Sequence, residues 1–344
     1  MVLKLGLKMK NSHVFKALDR FFLFDVPSNS LFMLEEPVYK YLNGEPIDAE
    51  SRDTVLDDIQ ELKANGFLDE SPEDVPALKR EPILKALCLH ISHDCNLRCR
   101  YCFAGTGPFG GDREQMSYEV GQAALDLLFR ESGAKRNLEV DFFGGEPLLN
   151  LDVVKRLVAY GEENGPKMGK DIHFTLTTNG VNLDEAARRF LNDHNIAVVL
   201  SLDGRPEVND RMRGNGTYQR ITPHFLELIQ GRDFKNYYLR GTFTSYNLDF
   251  SEDVKHLYEL GFRELSLEPV VSTDGDYRLT EEHLERIEEE YERLARYYLE
   301  RRKAGDGFTF FHFEIELEHG PCLPKRLTGC GAGFDYFAVT PRGE

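Results

Sequence analysis

The chain has 344 residues, 41% hydrophobic and 29% charged, which is too apolar for wholesale disorder and, at about 150 residues per domain, enough for two to three domains. Lys and Arg number 42 against 59 Asp and Glu, and the net charge of −17 opposes broad binding to a phosphate backbone. The longest purely apolar run, Ile196 to Leu200, falls far short of the roughly 20 residues of a membrane span, and Met1 to Lys10 lacks the apolar stretch of a signal peptide. A cytoplasmic protein with neither a nucleic-acid nor a membrane partner is expected.

Residues 1–75 read as a small module. His13 to Leu18, Phe21 to Val26 and Ser30 to Leu34 have strand composition. Pro37 to Leu42 begins a helix that stops at Asn43-Gly44. In a second helix, Ser51 to Asn65, Val55, Ile59 and Leu62 recur at helical spacing, with Gly66 as its terminator. Gly66 to Leu68 is expected to enter a closing strand, which makes the module winged-helix-like. Ser71 to Pro82, with three prolines and many charges, contains a linker, assigned to 76–82.

From residue 83 to 305 the pattern alternates. Expected strands are Ile83–Ile91, Leu138–Phe143, His173–Thr177, Ala197–Leu202, Tyr238–Thr244 and Glu264–Pro269. Expected helices are Ser117–Ser132, Leu151–Asn164, Asp184–Asp193, Thr217–Gln230, Ser251–Leu260 and the charge-laced Thr280–Lys303. Strand–helix alternation predicts an α/β fold with parallel pairing, either an open doubly wound sheet or a partial barrel. Chemistry then sits at the C-terminal ends of the strands.

Three of the six cysteines, Cys95, Cys99 and Cys102, lie within eight residues directly after the first of these strands. A compact loop can bring three thiolates onto one iron–sulfur cubane, which usually takes four, so one iron stays open. The alternative is zinc, with His90 or His93 as the fourth ligand. Cys88 alternates with apolar neighbours and reads as a buried small hydrophobe.

The spacing C-x3-C-x2-C with Tyr101 before the third cysteine resembles the signature of the radical S-adenosylmethionine (SAM) superfamily. That resemblance implies a partial (β/α)6 TIM-like barrel over 83–305 and a 4Fe–4S cluster on Cys95, Cys99 and Cys102 that binds SAM and cleaves it to a 5′-deoxyadenosyl radical. It also implies a SAM site at the other strand ends. Gly144, Gly145, Glu146 and Pro147 form the Gly-Gly-Glu-Pro motif, in which Glu146 helps hold the SAM amino group. Asn179, Ser201 and Leu267 contact SAM, and Arg213 meets its carboxylate with the fork suited to such a group. Asp203 hydrogen-bonds ribose or lines the substrate cavity; Asp203 and Glu268 are also the candidates for a general base.

Cys330 followed by twelve residues and Gly343 looks like the opening of the SPASM extension, assigned to 306–344, with Cys322 and Cys330 as the first two ligands of an auxiliary 4Fe–4S cluster. The incomplete extension suggests C-terminal truncation. The runs His90–Gly107 and Asp141–Asn150 are most similar to the thioether-forming maturases of SCIFF peptides, ribosomally made peptides with six cysteines. This implies joining of a Cys sulfur to an acceptor α-carbon, leader binding by residues 1–75, and an electron donor such as flavodoxin or ferredoxin. Two alternatives stand: another SPASM-type maturase, of sulfatases or quinohemoproteins, and a non-catalytic zinc-binding protein.

Overall fold

The computed structural model describes residues 11–68, 83–232, 236–315, 317 and 331–344. The linker 76–82 and Cys322 and Cys330 lie outside them. The described residues fall into two compact units, one within Met1–Arg80 and Ile315–Leu327, the other within Glu81–Glu314 and Thr328–Glu344.

In the first unit, β1 (Ser12–Ala17), β2 (Arg20–Asp25) and β3 (Ser30–Leu34) form an antiparallel meander, followed by α1 (Glu36–Leu42) and α2 (Arg52–Ala64). The β1–β2 hairpin turns on Leu18 and Asp19, both at positive φ (50° and 61°), as a two-residue turn matched to strand twist demands. Val55 and Ile59 on α2 close a core with Leu23, Val38, Leu42 and Leu68. Gly66–Leu68 is not strand, and the rest of the closing strand expected to follow it lies outside the described residues. Leu68 takes a left-handed conformation (φ 58°), and its N–H donates to the buried Asp25 carboxylate at 3.0 Å. Asp25 also accepts from the Ser28 N–H and hydroxyl at 3.1 and 2.6 Å. A buried carboxylate must be satisfied, and the left-handed Leu68 presents its N–H to it.

The second unit is a parallel sheet with helices between its strands: β4 (Ala86–Ser92), α3 (Tyr118–Glu131), β5 (Asn137–Gly144), α4 (Leu151–Asn164), β6 (Asp171–Thr178), α5 (Glu185–Asp193), β7 (Ala197–Ser201), α6 (Pro206–Arg213), α7 (Thr217–Gln230), β8 (Tyr237–Phe243), α8 (Phe250–Glu259), β9 (Glu264–Pro269), α9 (Leu284–Lys303), β10 (Thr309–Phe310) and β11 (Tyr336–Val339). The order β10-β9-β8-β7-β6-β5-β4-β11 places the six expected strands side by side in chain order, as a partial TIM-like barrel requires. Two edge strands add to it. β10 lies beside β9, and β11 lies parallel to β4, with Tyr336 to Val339 opposite Ala86 to Leu89. Alternate residues of the strands (Leu87, Leu89 and Ile91 on β4; Leu138, Val140 and Phe142 on β5) are fully buried in the core that includes residues of α3 and α4. The intervening residues are left to the opposite face and the strand ends. Cys88 is buried on β4, and burial pushes its thiol up to about 11.

The helix expected at Thr280–Lys303 divides. A short turn, Glu281–His283, is capped by Thr280 and His283 in a reciprocal capping box, and α9 follows. Helix α6 escapes a sequence reading because its eight residues bury only Asn209, Met212 and Arg213, leaving no apolar stripe. Among the described residues no helix is long and apolar enough to cross a membrane.

Candidate active site at the strand ends

The cysteine loop begins where β4 ends, and its backbone is tied to the Gly-Gly-Glu-Pro loop after β5. The Gly145 N–H donates to the Ser92 carbonyl at 2.7 Å and the Glu146 N–H to the Asp94 carbonyl at 2.9 Å. A Cβ on Gly144 (φ 120°) would stand 2.4 Å from the Ser92 oxygen, and one on Gly145 2.2 Å from the Asp94 oxygen. The two glycines therefore let the loops touch backbone to backbone. Further along, the Arg100 N–H donates to the Met212 carbonyl at 2.8 Å, and the Arg100 guanidinium pairs with Asp276 at 2.8 Å. Beyond the cysteines, the Arg342 guanidinium binds Glu114 at 2.8 Å and Asp112 at 3.0 Å, where the loop returns.

A cavity of about 440 Å³ opens among the strand ends. Cys95, Cys99 and Cys102 share its wall with Tyr101, Gly144, Gly145, Asn179, Ser201, Arg213 and Glu268. Each thiol is partly buried. The Cys95 sulfur accepts from the Leu97 N–H at 3.4 Å and the Asn179 amide at 3.5 Å, and the Cys102 sulfur from the Thr106 N–H at 3.3 Å. Burial pushes the Cys95 thiol up and that of Cys99 up to about 11, with the neighbouring thiols adding to both. Metal ligation deprotonates such thiols and releases their protons. Among the described residues no three His, Cys, Asp or Glu side chains converge on one metal-sized point. Three thiols along one wall suit a cluster whose separate irons each take one sulfur, more than a single tetrahedral ion.

Four residues from the sequence reading lie behind this wall. Asp203 is fully buried and accepts from Arg213 Nη2 at 2.9 Å, the Thr242 N–H at 3.0 Å and the Tyr101 hydroxyl at 2.6 and 2.9 Å. It thus holds two residues that do face the cavity. Glu146 is fully buried too. It accepts from the Leu148 N–H, the Thr178 hydroxyl and the Asn179 N–H at 3.0, 2.8 and 2.8 Å, and burial pushes it up to about 7. Its carboxylate ties the turn headed by Pro147 to the end of β6, and Pro147 is itself buried. Leu267 is fully buried in the core.

Arg213 is 8% exposed, and its buried Nε has no hydrogen-bond partner. Burial pulls the guanidinium pKa down, but Asp203 beside it outweighs that and the net direction is up. A permanently charged fork with an unused donor on the cavity wall fits a carboxylate. What fixes the chain after Arg213 is Asp210, which accepts from the Gly216 and Tyr218 N–H groups at 2.7 and 2.8 Å. Burial raises the Asp210 carboxyl, yet these hydrogen bonds outweigh it and the net direction is down. A depressed carboxyl contributes stability above its unfolded pKa that is lost as pH falls through the folded value. Asp210→Asn is therefore expected to cost about 1 kcal/mol at pH 7, with a difference from wild type that shrinks below about pH 4 in urea denaturation.

Arg240, Thr242 and Phe103 also line the cavity and were not singled out from sequence. Arg240 and Thr242 alternate on β8 with Leu239, Gly241 and Phe243, all buried. That period of two places a charged and a polar residue on the other face, and is the signal available for them.

Residues 89–237 match the radical SAM superfamily. An uncharacterized protein of Methanocaldococcus jannaschii is 26% identical over 220 residues, covering 62% of this chain and 72% of that one. The cysteine-type anaerobic sulfatase-maturating enzyme of Clostridium novyi is 31% identical over 138 residues, 38% of this chain and 35% of the enzyme, so the match spans about a third of that relative. Among solved structures, anSMEcpe with bound AdoMet superposes with a TM-score of 0.59 at 23% identity over 67% of this chain and 64% of its own. Streptococcus suis SuiB bound to precursor peptide SuiA gives 0.55 at 16% identity over 97% and 81%. At these identities the two structures show a shared fold.

Proposed function

We propose, from the match of residues 89–237 to the radical SAM superfamily, that this chain is a radical SAM enzyme using a 4Fe–4S cluster and SAM, and that it is a peptide maturase forming a thioether between a Cys sulfur and an α-carbon of a ribosomally made, cysteine-rich peptide of the SCIFF kind. The observation that carries the reading is one cavity lined jointly by three spaced thiols, two glycines and an arginine with a buried, unused donor. Cys95, Cys99 and Cys102 would hold the cluster; Gly144, Gly145, Asn179, Ser201 and Arg213 would receive SAM, with Arg213 on its carboxylate. Bound there, these groups would supply radical chemistry able to abstract a hydrogen atom from a peptide. Arg213 and Tyr101 are kept in place by Asp203, and Asn179 by Glu146.

A peptide substrate is supported by the structural likeness to SuiB, solved with its precursor peptide. Residues 1–75 would bind the leader by adding a strand to the three-stranded sheet, where main-chain hydrogen bonds give affinity. β3 is an outer strand of that sheet, and its Leu31 and Met33 are exposed. Further parts of the reading are a linker at 76–82, a SPASM portion at 306–344 with Cys322 and Cys330 on an auxiliary cluster, a flavodoxin- or ferredoxin-like electron donor and a cytoplasmic location. The second reading, sulfatase maturation, is favoured by the match to the Clostridium novyi enzyme.

The test is anaerobic reconstitution with iron and sulfide, then incubation with SAM, dithionite and a synthetic six-cysteine peptide. Deoxyadenosine, together with a peptide that has lost two hydrogens and one alkylatable thiol, is expected. An unchanged peptide beside an oxidised sulfatase-derived one would favour the second reading. A colourless zinc protein would remove both.

A further inference from the structure

Of the two carboxylates that sequence offers as a base, the structure leaves one in reach. Asp203 is fully buried and does not line the cavity. Glu268, at the end of β9, lies on the cavity wall. Its Oε1 accepts from the Ser266 hydroxyl at 2.5 Å, and its Oε2 faces His312 Nε2 at 3.0 Å. On the other side of that ring, Nδ1 faces the Tyr291 hydroxyl at 2.7 Å. With an ionised carboxylate the order is settled: Nε2 carries the hydrogen and donates to Glu268, and Tyr291 donates to Nδ1. Three elements, β9, the turn after β10 and α9, thus converge to orient one carboxylate from behind.

We propose that Glu268 accepts the proton of the peptide thiol entering this cavity, and that Ser266, His312 and Tyr291 are positioning residues that aim its carboxylate. The proposal rests on the peptide-thiol reading above. In the step the S–H bond breaks heterolytically, the electron pair stays on sulfur and the proton bonds to a Glu268 oxygen. Nothing is oxidised or reduced. Arg240 on β8 also faces Glu268, and the charge of Glu268 is felt by Tyr238 and Tyr291. Burial raises the Glu268 carboxyl, but Ser266, His312 and Arg240 outweigh it, and the net direction is down. The group is therefore ionised at neutral pH, as an acceptor must be.

Two measurements on the reconstituted full chain test this. In the first, a synthetic peptide with one cysteine and one threonine is the probe, and cross-linked product is counted per deoxyadenosine formed. Glu268→Gln is expected to lower this ratio by about 100-fold, with peptide KM within a few-fold of wild type. In the second, protein labelled with 13C-glutamate is titrated by NMR, with Glu268 assigned through its Gln variant. His312→Ala should move the Glu268 midpoint upward, and with it the acid limb of the product pH profile. His312→Gln, which keeps an amide donor, should recover part of the shift. A ratio for Glu268→Gln within about threefold of wild type, or a carboxyl midpoint that ignores His312, overturns the proposal. Wild type that forms deoxyadenosine but leaves the peptide unchanged overturns the thiol reading, and the proton acceptor falls with it. Absence of deoxyadenosine strikes earlier, at the cofactor site itself.

Discussion

Exchanging Cys95, Cys99 and Cys102 together for alanine is expected to reduce deoxyadenosine formation to background while leaving the fold intact. The three sulfurs line a cavity and are only partly buried, so their loss removes little core packing. The sheet beneath them is held by the fully buried Leu87, Leu89, Ile91, Val140 and Phe142, which the variant does not touch. Circular dichroism and the urea midpoint should therefore stay near wild type. What disappears is the SAM-responsive electron paramagnetic resonance signal of about four irons. Each single variant should also fail, because a cubane with one iron left open for SAM has no ligand to spare. Deoxyadenosine persisting in the triple variant would remove the cluster from this loop.

Asp203→Ala carries the largest expected cost to stability, about 3–5 kcal/mol, because it leaves the 8%-exposed Arg213 charge buried without its partner. The Thr242 N–H and the Tyr101 hydroxyl lose their acceptor in the same stroke. For a unit of this size the change corresponds to about 10 °C in Tm by calorimetry. SAM affinity should fall by about tenfold or more, since Arg213 is no longer aimed. Arg213→Met in the same background should recover part of the stability and none of the affinity, because it removes the stranded charge. A Tm within about 2 °C of wild type for Asp203→Ala would mean that this pair does not anchor the wall.

Much of the fold was readable from periodicity. Leu151–Asn164, Thr217–Gln230 and Glu264–Pro269 lie where their apolar spacing predicts, since each buries a continuous face. Helix α6 and the Leu18-Asp19 turn were hidden for opposite reasons: one lacks an apolar stripe, the other lacks glycine at its positive-φ positions. At the candidate site, motif spacing put the thiols, Gly144, Gly145, Asn179 and Ser201 at strand ends, with Arg213 at the end of α6 beyond β7. It says nothing of which side of the wall a side chain takes. Glu146 turns inward because three backbone or hydroxyl donors await it there, and Asp203 because a backbone N–H, a hydroxyl and the Arg213 guanidinium do. The His312–Glu268 contact joins residues 44 apart in the chain, beyond any local pattern.

The strand that delivers the cysteines is not an outer strand, because β11 lies along it. The Lys85 and Ala86 N–H groups also donate to the Asp335 carbonyl, and Arg342 grips Asp112 and Glu114 beyond the thiols. A stretch more than two hundred residues downstream thereby clasps the cysteine-bearing loop at its root and at its exit. Slippage of β4 by one position would swap its inward and outward residues and carry the sulfurs off target. The accuracy of the candidate centre is in this sense underwritten by residues far removed from it in sequence.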